Sequence, residues 1–339
     1  MVSVRFPRPL RPGDRIGVTS PSSGVGPNRW PRLDAGIAAL RERGYDVIVG
    51  ECMSGERVTS APKEQRAAEL TAMLRDPEIA AVIPPWGGEV AIDLLDQVDW
   101  DAHAAAEPTW LVGWSDITTL MLPLTLKAGW AALHSWNLMD TPYGPPEGLL
   151  HWTDVAASTQ PFTQRSPGLW REGWDDYEAD PGVRTMTLDR EGPWSLLAGD
   201  RADFSGRLIG GCLEVVSPMA GTPYGDVPAF GRTHADEGIV VYLEACEHNA
   251  YDVARQLHGL RLAGWFEHAS GVLIGRTPAP DAVDLTQHEA VADALGMLDL
   301  PVVLDVEIGH LQPFLPLVNG ALAHVVVDGD RREITQTLS

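Results

Sequence analysis

The first third of this 339-residue chain alternates short apolar runs with stretches of helical spacing, and few folds accept that rhythm. Residues 15–19 are an apolar run ending in the turn cluster Ser20-Pro-Ser-Ser-Gly. Residues 33–43 repeat apolar positions at helical spacing and stop at Gly44, a residue free to take the left-handed backbone that ends helices. Strand-like runs recur at 46–49, 79–83 and 109–112, separated by helix-like stretches at 62–75 and 90–97. Such alternation predicts a parallel sheet covered by helices, with reactive groups at the carboxyl ends of the strands.

The rhythm breaks at residues 141–195, where Trp152, Trp170, Trp174 and Trp194 stand among Pro, Gly, Asp and Glu without clear periodicity. This stretch reads either as an excursion joining two domains or as a lid over a site. From Gly206 onward the pattern is strands between Gly and Pro turns, at 239–243, 271–274, 302–304 and 323–327, with a helix near 251–260. The length alone favours two domains. We therefore expect a nucleophile domain over 1–140, a Trp-rich connecting segment over 141–200, and a C-terminal domain over 201–339.

Composition narrows the partners. Apolar residues make up 44% and charged residues 21%, ample for a core. Acidic side chains outnumber Lys and Arg 47 to 25, for a formal charge of -22. A chain so charged repels phosphate backbones and anionic lipid, so neither a nucleic-acid polymer nor a membrane is an expected partner. Cys52, Cys212 and Cys246 lack metal-ligand spacing and cannot all pair, which suits free thiols in a cytoplasmic protein. The N-terminus has no apolar core of signal-peptide length, and no run of apolar residues is long enough to span a bilayer. No metal motif and no phosphate-binding glycine loop is present in the sequence, so no cofactor is expected.

The segment Thr109-Trp-Leu-Val-Gly-Trp-Ser-Asp carries the sharpest chemical signal. An apolar run ends at Gly113, and Ser115 directly precedes the helix-like Ile117-Thr-Thr-Leu-Met-Leu. Serine on a tight strand-to-helix turn presents its hydroxyl as a nucleophile, beside unpaired backbone N–H groups. Serine is equally at home there as a simple helix cap. A nucleophilic serine needs a base and an orienting acid. His310, in Ile308-Gly-His-Leu-Gln-Pro beyond a strand-like run, is the first candidate base and His134 the second. His103, His234, His248, His268 and His288 stand in polar or helical settings that favour the surface. Glu244 ends the apolar Ile239-Val-Val-Tyr-Leu, where a carboxylate needs a partner, so it ranks before Glu247 as the acid. Gly87 and Gly88, following the run 79–83, would bring backbone N–H groups to the sheet edge near Ser115, with the Asp116 N–H as a second oxyanion donor.

These segments together resemble the LD-carboxypeptidase family of serine peptidases, which includes muropeptide LD-carboxypeptidases and microcin C self-immunity proteins. The likeness runs through Leu10-Arg-Pro-Gly-Asp-Arg-Ile-Gly-Val, Trp86-Gly-Gly, Gly113-Trp-Ser-Asp-Ile-Thr, Gly206-Arg-Leu-Ile-Gly-Gly, Val241-Tyr-Leu-Glu, Gly271-Val-Leu-Ile-Gly-Arg and Ile308-Gly-His. The resemblance implies an α/β fold: a Rossmann-like N-terminal domain with a parallel sheet and a smaller, swivelling C-terminal α/β domain, commonly dimeric, with the site between them. It also implies a metal-free triad of Ser115, Glu244 and His310, with Gly87 or Gly88 and Asp116 as the oxyanion hole. Within the family, Trp86 before the glycines, followed by Glu89-Val-Ala, and the Trp-rich insertion resemble the microcin-immunity branch. Trp86 and Glu89 are then expected at the substrate. The implied activity is hydrolysis of an amide in a peptidyl- or aminoacyl-nucleotide or another small peptide-like substrate, by a cytoplasmic homodimer. The alternatives are removal of a terminal D-residue from a cell-wall tetrapeptide, or a ligand-binding module without catalysis. An α/β-hydrolase shares the order Ser, acid, His, but Ile117 stands where that elbow requires glycine.

Overall fold

The computed structural model describes residues 3–339 and contains two large sheets joined through a shared interface, with a two-stranded ribbon, Leu169–Trp170 on Arg190–Glu191, beside them. In the first, Asp46–Val49, Arg15–Val18, Ile79–Ile83, Trp110–Gly113 and Ala132–His134 run parallel in that spatial order. Strand order 2-1-3-4-5 is that of flavodoxin-like doubly wound sheets, whose ligands lie beyond the carboxyl ends where the order reverses. Ile79–Ile83 is buried along its whole length, as a central parallel strand must be. Helices Trp30–Glu42 and Lys63–Arg75 cover it with Leu33, Ile37 and Leu40 and with Leu70, Met73 and Leu74. Gly44 ends the first of them at φ +91, the conformation expected of it.

The second sheet has a parallel core of Arg201–Cys212, Ile239–Glu244, Ala269–Gly275 and Val302–Val306. Antiparallel strands Leu322–Asp328, Arg331–Thr337 and Phe162–Arg165 extend one edge, and Ser195–Leu196 closes the other. The mixed α/β, two-domain expectation holds. The domains touch where Gly211 abuts helix Thr118–Ala128: a Cβ at Gly211 would lie 1.7 Å from Thr118 Cγ2. Only a bare backbone fits there.

Three expectations change. Residues 90–97 form a single turn of 3-10 helix at Ala91–Leu94. The segment is pinned at one end by the Ala91 N–H on Asp116, and at the other Asp99 already caps the next helix, Trp100–Ala104. The Trp-rich stretch is built into the second sheet through Phe162–Arg165 and Ser195–Leu196. Trp152 and Trp194 are fully buried, and the latter's indole N–H meets the Glu307 carboxylate. Strands of two to four residues are too short to show a period. His103, expected at the surface, packs edge-on against Trp130 with ring centroids 5.3 Å apart, and burial pushes its pKa down to about 4.

Candidate active site

Strand Trp110–Gly113 delivers Ser115 to the sheet edge, and a 3-10 turn, Ser115–Ile117, leads into helix Thr118–Ala128. Ser115 takes φ +59, a strained backbone for a side chain with a Cβ, which points its hydroxyl out of the turn. Glu244 arrives from the other sheet as the last residue of Ile239–Glu244. His310 lies on the loop between Val302–Val306 of the second sheet and Leu317–Asn319. The latter crosses back to pair with Ala132–His134 in the first. The His310 loop is thus tied to both domains.

These three side chains meet. His310 Nε2 lies 3.1 Å from Ser115 Oγ, and His310 Nδ1 lies 2.8 Å from Glu244 Oε2. Two glycines admit the carboxylate: a Cβ at Gly309 (φ +105) would sit 2.7 Å from Glu244 Oε2, and one at Gly275 2.8 Å from Glu244 Cβ. The Glu244 side chain is wholly buried. Burial alone would lower the His310 pKa. The Glu244 charge, with its hydrogen bond to the ring and the nearby Cys246, outweighs it and holds His310 well above the ordinary 6.5. The second candidate base, His134, is buried between Tyr242 and Phe314 at 5.1 and 5.4 Å. Its ring nitrogens have no hydrogen-bond partner among the described residues, and burial pushes its pKa down to about 3. Glu247 lies on the pocket wall rather than on the imidazole.

Gly87 passes against the serine, since a Cβ there would be 2.8 Å from Ser115 Cβ, 2.9 Å from Ser115 Oγ and 3.2 Å from the Asp116 nitrogen. With the Asn137 amide oxygen turned inward, it accepts from Trp114 Nε1 at 2.8 Å and from the Gly87 N–H at 3.1 Å, satisfying both donors. Gly88 adopts φ +148 and packs on Ser22 and Ser23. The Asp116 side chain faces inward, accepting from Ser22 Oγ at 2.5 Å, Ala91 N at 2.8 Å and Thr119 Oγ1 at 3.2 Å. It braces the serine turn from behind.

A cavity of about 470 Å³ opens over Ser115 and His310. Trp114 floors it, its ring tilted 32° against the His310 ring at 4.3 Å and beside Trp174 at 5.7 Å. Trp86 forms another wall, held by its Nε1–H on the Ser23 carbonyl at 3.0 Å and by the Arg29 guanidinium 5.1 Å above its ring. Glu89 and Glu247 supply negative charge, and burial followed by the Glu247 charge raises the Glu89 pKa. Trp86 and Glu89 both line this cavity.

Sequence reasoning missed the scaffold behind this wall. Arg32, fully buried, stacks on Tyr177 at 4.3 Å and Tyr143 at 4.9 Å. It donates to the carbonyls of Met139 at 2.6 Å and Val183 at 2.7 Å. Tyr177 in turn donates to Asp140 Oδ1 at 3.1 Å, and Tyr143 to Asp175 Oδ2 at 2.6 Å. This network fixes the segment that carries Trp174. Asp140 lines the pocket, and burial, against the pull of Arg32, raises its pKa to about 6. Nothing in the sequence around Arg32 marks it as buried.

Comparison with known proteins agrees with this architecture. The LD-carboxypeptidase N-terminal domain family matches residues 16–135, and the LD-carboxypeptidase C-terminal domain family matches residues 205–325. A Streptomyces coelicolor relative, whose name assigns it only provisionally to the carboxypeptidases, is 30% identical over 95% of this chain and 93% of its own. The microcin C7 self-immunity protein MccF, solved with aspartyl sulfamoyl adenosine, superposes with a TM-score of 0.80 at 21% identity. That match covers 99% of this chain and 98% of the other. Muramoyltetrapeptide carboxypeptidase from Oxalobacter formigenes superposes at 0.69 and 20% identity, covering 95% and 98%. The chain belongs to the LD-carboxypeptidase family and is a serine-type carboxypeptidase. Among the described residues no helix is long and apolar enough to cross a membrane, and no cluster of His, Cys, Asp and Glu has the makings of a metal site.

Proposed function

We propose that this enzyme cleaves an amide in an aminoacyl- or peptidyl-nucleotide or a closely related small peptide, as an immunity-like hydrolase. The relay Ser115–His310–Glu244, at 3.1 and 2.8 Å under a tryptophan-lined cavity, is the observation that supports the reading most. His310, once neutral, takes the Ser115 proton as the hydroxyl attacks the carbonyl carbon. The tetrahedral oxyanion rests on the Asp116 N–H and the Gly88 N–H, since the Gly87 N–H is taken by Asn137. Glu244 fixes the imidazole tautomer and stabilises the imidazolium, which then protonates the leaving amine. Water, activated by the same histidine, releases the acyl group from Ser115.

Trp174 and Trp86 offer flat apolar faces to a base or another aromatic group. Glu89 and Glu247 suit the ammonium of an aminoacyl moiety. We further propose that the protein acts in the cytoplasm as a homodimer.

Incubation with aspartyl sulfamoyl adenosine and, separately, with a murein tetrapeptide, with products read by mass spectrometry, tests the reading. Release of aspartate from the first supports it. Release of terminal D-alanine from the second alone selects the muropeptide alternative. Tight binding of either ligand without turnover selects the non-catalytic module.

A further inference from the structure

Two of the three cysteines stand beside the candidate relay in one constrained group. Cys212 ends strand Arg201–Cys212 and is paired in parallel register with Glu244, and Cys246 lies two residues beyond that glutamate. One carboxylate holds both. Glu214 accepts from Cys212 Sγ at 3.2 Å and from the Cys246 N–H at 2.7 Å, and it also takes the Glu247 N–H at 3.0 Å. Held this way, Cys212 lies across the sheet from Glu244, two residues before Cys246, and Cys246 shares the cavity wall with His310. Cys212 is buried, whereas Cys246 is part-exposed on the cavity wall. Cys52 is buried in the other domain, its N–H directed at Glu69.

We propose that Cys212 and Cys246 are a dithiol oxidation site: a peroxide converts them to a disulfide that draws Cys246 away from His310 and shuts off hydrolysis. The two sulfurs are unequal in the way such chemistry requires. The neighbouring Cys212, followed by His310, offsets burial and brings the Cys246 thiol down to about 7; Cys212 is held well above 9. Cys246 is therefore the attacking thiolate and Cys212 the resolving thiol.

In the first step the Cys246 sulfur attacks one peroxide oxygen and the O–O bond breaks. The departing hydroxide takes a proton and leaves as water, with a sulfenic acid on Cys246. In the second step the Cys212 sulfur attacks that sulfenic sulfur and the S–O bond breaks. The released hydroxide takes the Cys212 proton as a second water. Two thiols lose two electrons to one peroxide, and the balance closes. Because residues 245–248 follow Glu244 directly and hang on Glu214, pulling Cys246 toward Cys212 also disturbs the carboxylate under His310.

The test treats the full-length protein with hydrogen peroxide, blocks remaining thiols with an alkylating reagent, and reads intact mass and peptide maps. The expected result is loss of two hydrogens, a peptide linked through Cys212 and Cys246, an alkylated Cys52, and full reversal by dithiothreitol. In Cys212→Ala the same treatment gives added oxygen on Cys246 and no cross-link, while the wild-type mass change needs no variant. Turnover of the substrate identified above falls about a hundredfold on oxidation and returns on reduction. Only this last reading rests on the proposed function; the mass change decides the disulfide even if neither substrate is cleaved. Sulfinic or sulfonic acid on Cys246 beside an alkylated Cys212 overturns the proposal. So does a disulfide that leaves turnover unchanged.

Discussion

At the residue scale, catalysis turns on how His310 is held. Its pKa lies above the ordinary value, and only neutral imidazole can accept the serine proton. The rate kcat/KM should therefore rise with pH through an apparent pKa above 6.5, measured as a pH–rate profile. The sign for stability is opposite. A raised folded-state pKa contributes stability fully below the unfolded value, and that contribution is lost as pH rises through the folded value. The His310–Glu244 pair thus favours the fold most where the base is inactive. Glu244→Gln should move the acid limb of the profile to lower pH while kcat falls by about 10²- to 10⁴-fold. Gly87→Ala should fold yet lose turnover, because the added methyl would lie 2.9 Å from Ser115 Oγ. A Gly87→Ala enzyme with wild-type kcat would contradict this packing.

At the element scale, the segment carrying Trp174 depends on a buried polar network rather than on apolar burial. Asp140, raised to about 6, is uncharged and comfortable at acid pH and becomes a buried charge as pH rises. Its contribution to stability is present at low pH and is lost as pH rises through about 6. Asp140→Asn keeps an acceptor for the Tyr177 hydroxyl. Its Tm should exceed the wild-type Tm at pH 8, with the gap closing toward pH 5; an equal gap at both pH values would contradict the assignment. The elements that the sequence showed plainly were those with an unmixed period: the buried run Ile79–Ile83, and helices Trp30–Glu42 and Ala250–Leu262 closed by a glycine or opened by Asn249. Helix Gln287–Leu295, with a full capping box at Thr286 and Glu289, was equally legible and went unread. Other features had no local signal. Leu317–Asn319 is three residues long and belongs to the sheet of the other domain, and Arg32 is an arginine whose burial depends on carbonyls more than a hundred residues away.

At the scale of the whole molecule, the candidate site exists only because two sheets meet. Ser115 comes from one and Glu244 from the other, while the His310 loop crosses between them. Residue types at the ends of apolar runs were enough to nominate each member; their convergence was not readable, since it depends on the interface at Gly211. Gly211→Val would push a side chain into Thr118, so overpacking there should cost about 1–3 kcal/mol or more in stability, read as a lower Tm. Turnover should fall further than Tm alone explains, because the two halves of the relay would be wedged apart. Unchanged kcat in a well-folded Gly211→Val enzyme would mean that the relay does not depend on this contact. The most direct test of the central claim is kcat/KM of Ser115→Ala against wild type, on whichever substrate is cleaved. The expected result is a loss of at least about 10⁴-fold with the fold intact by circular dichroism. Activity within tenfold of wild type would contradict it.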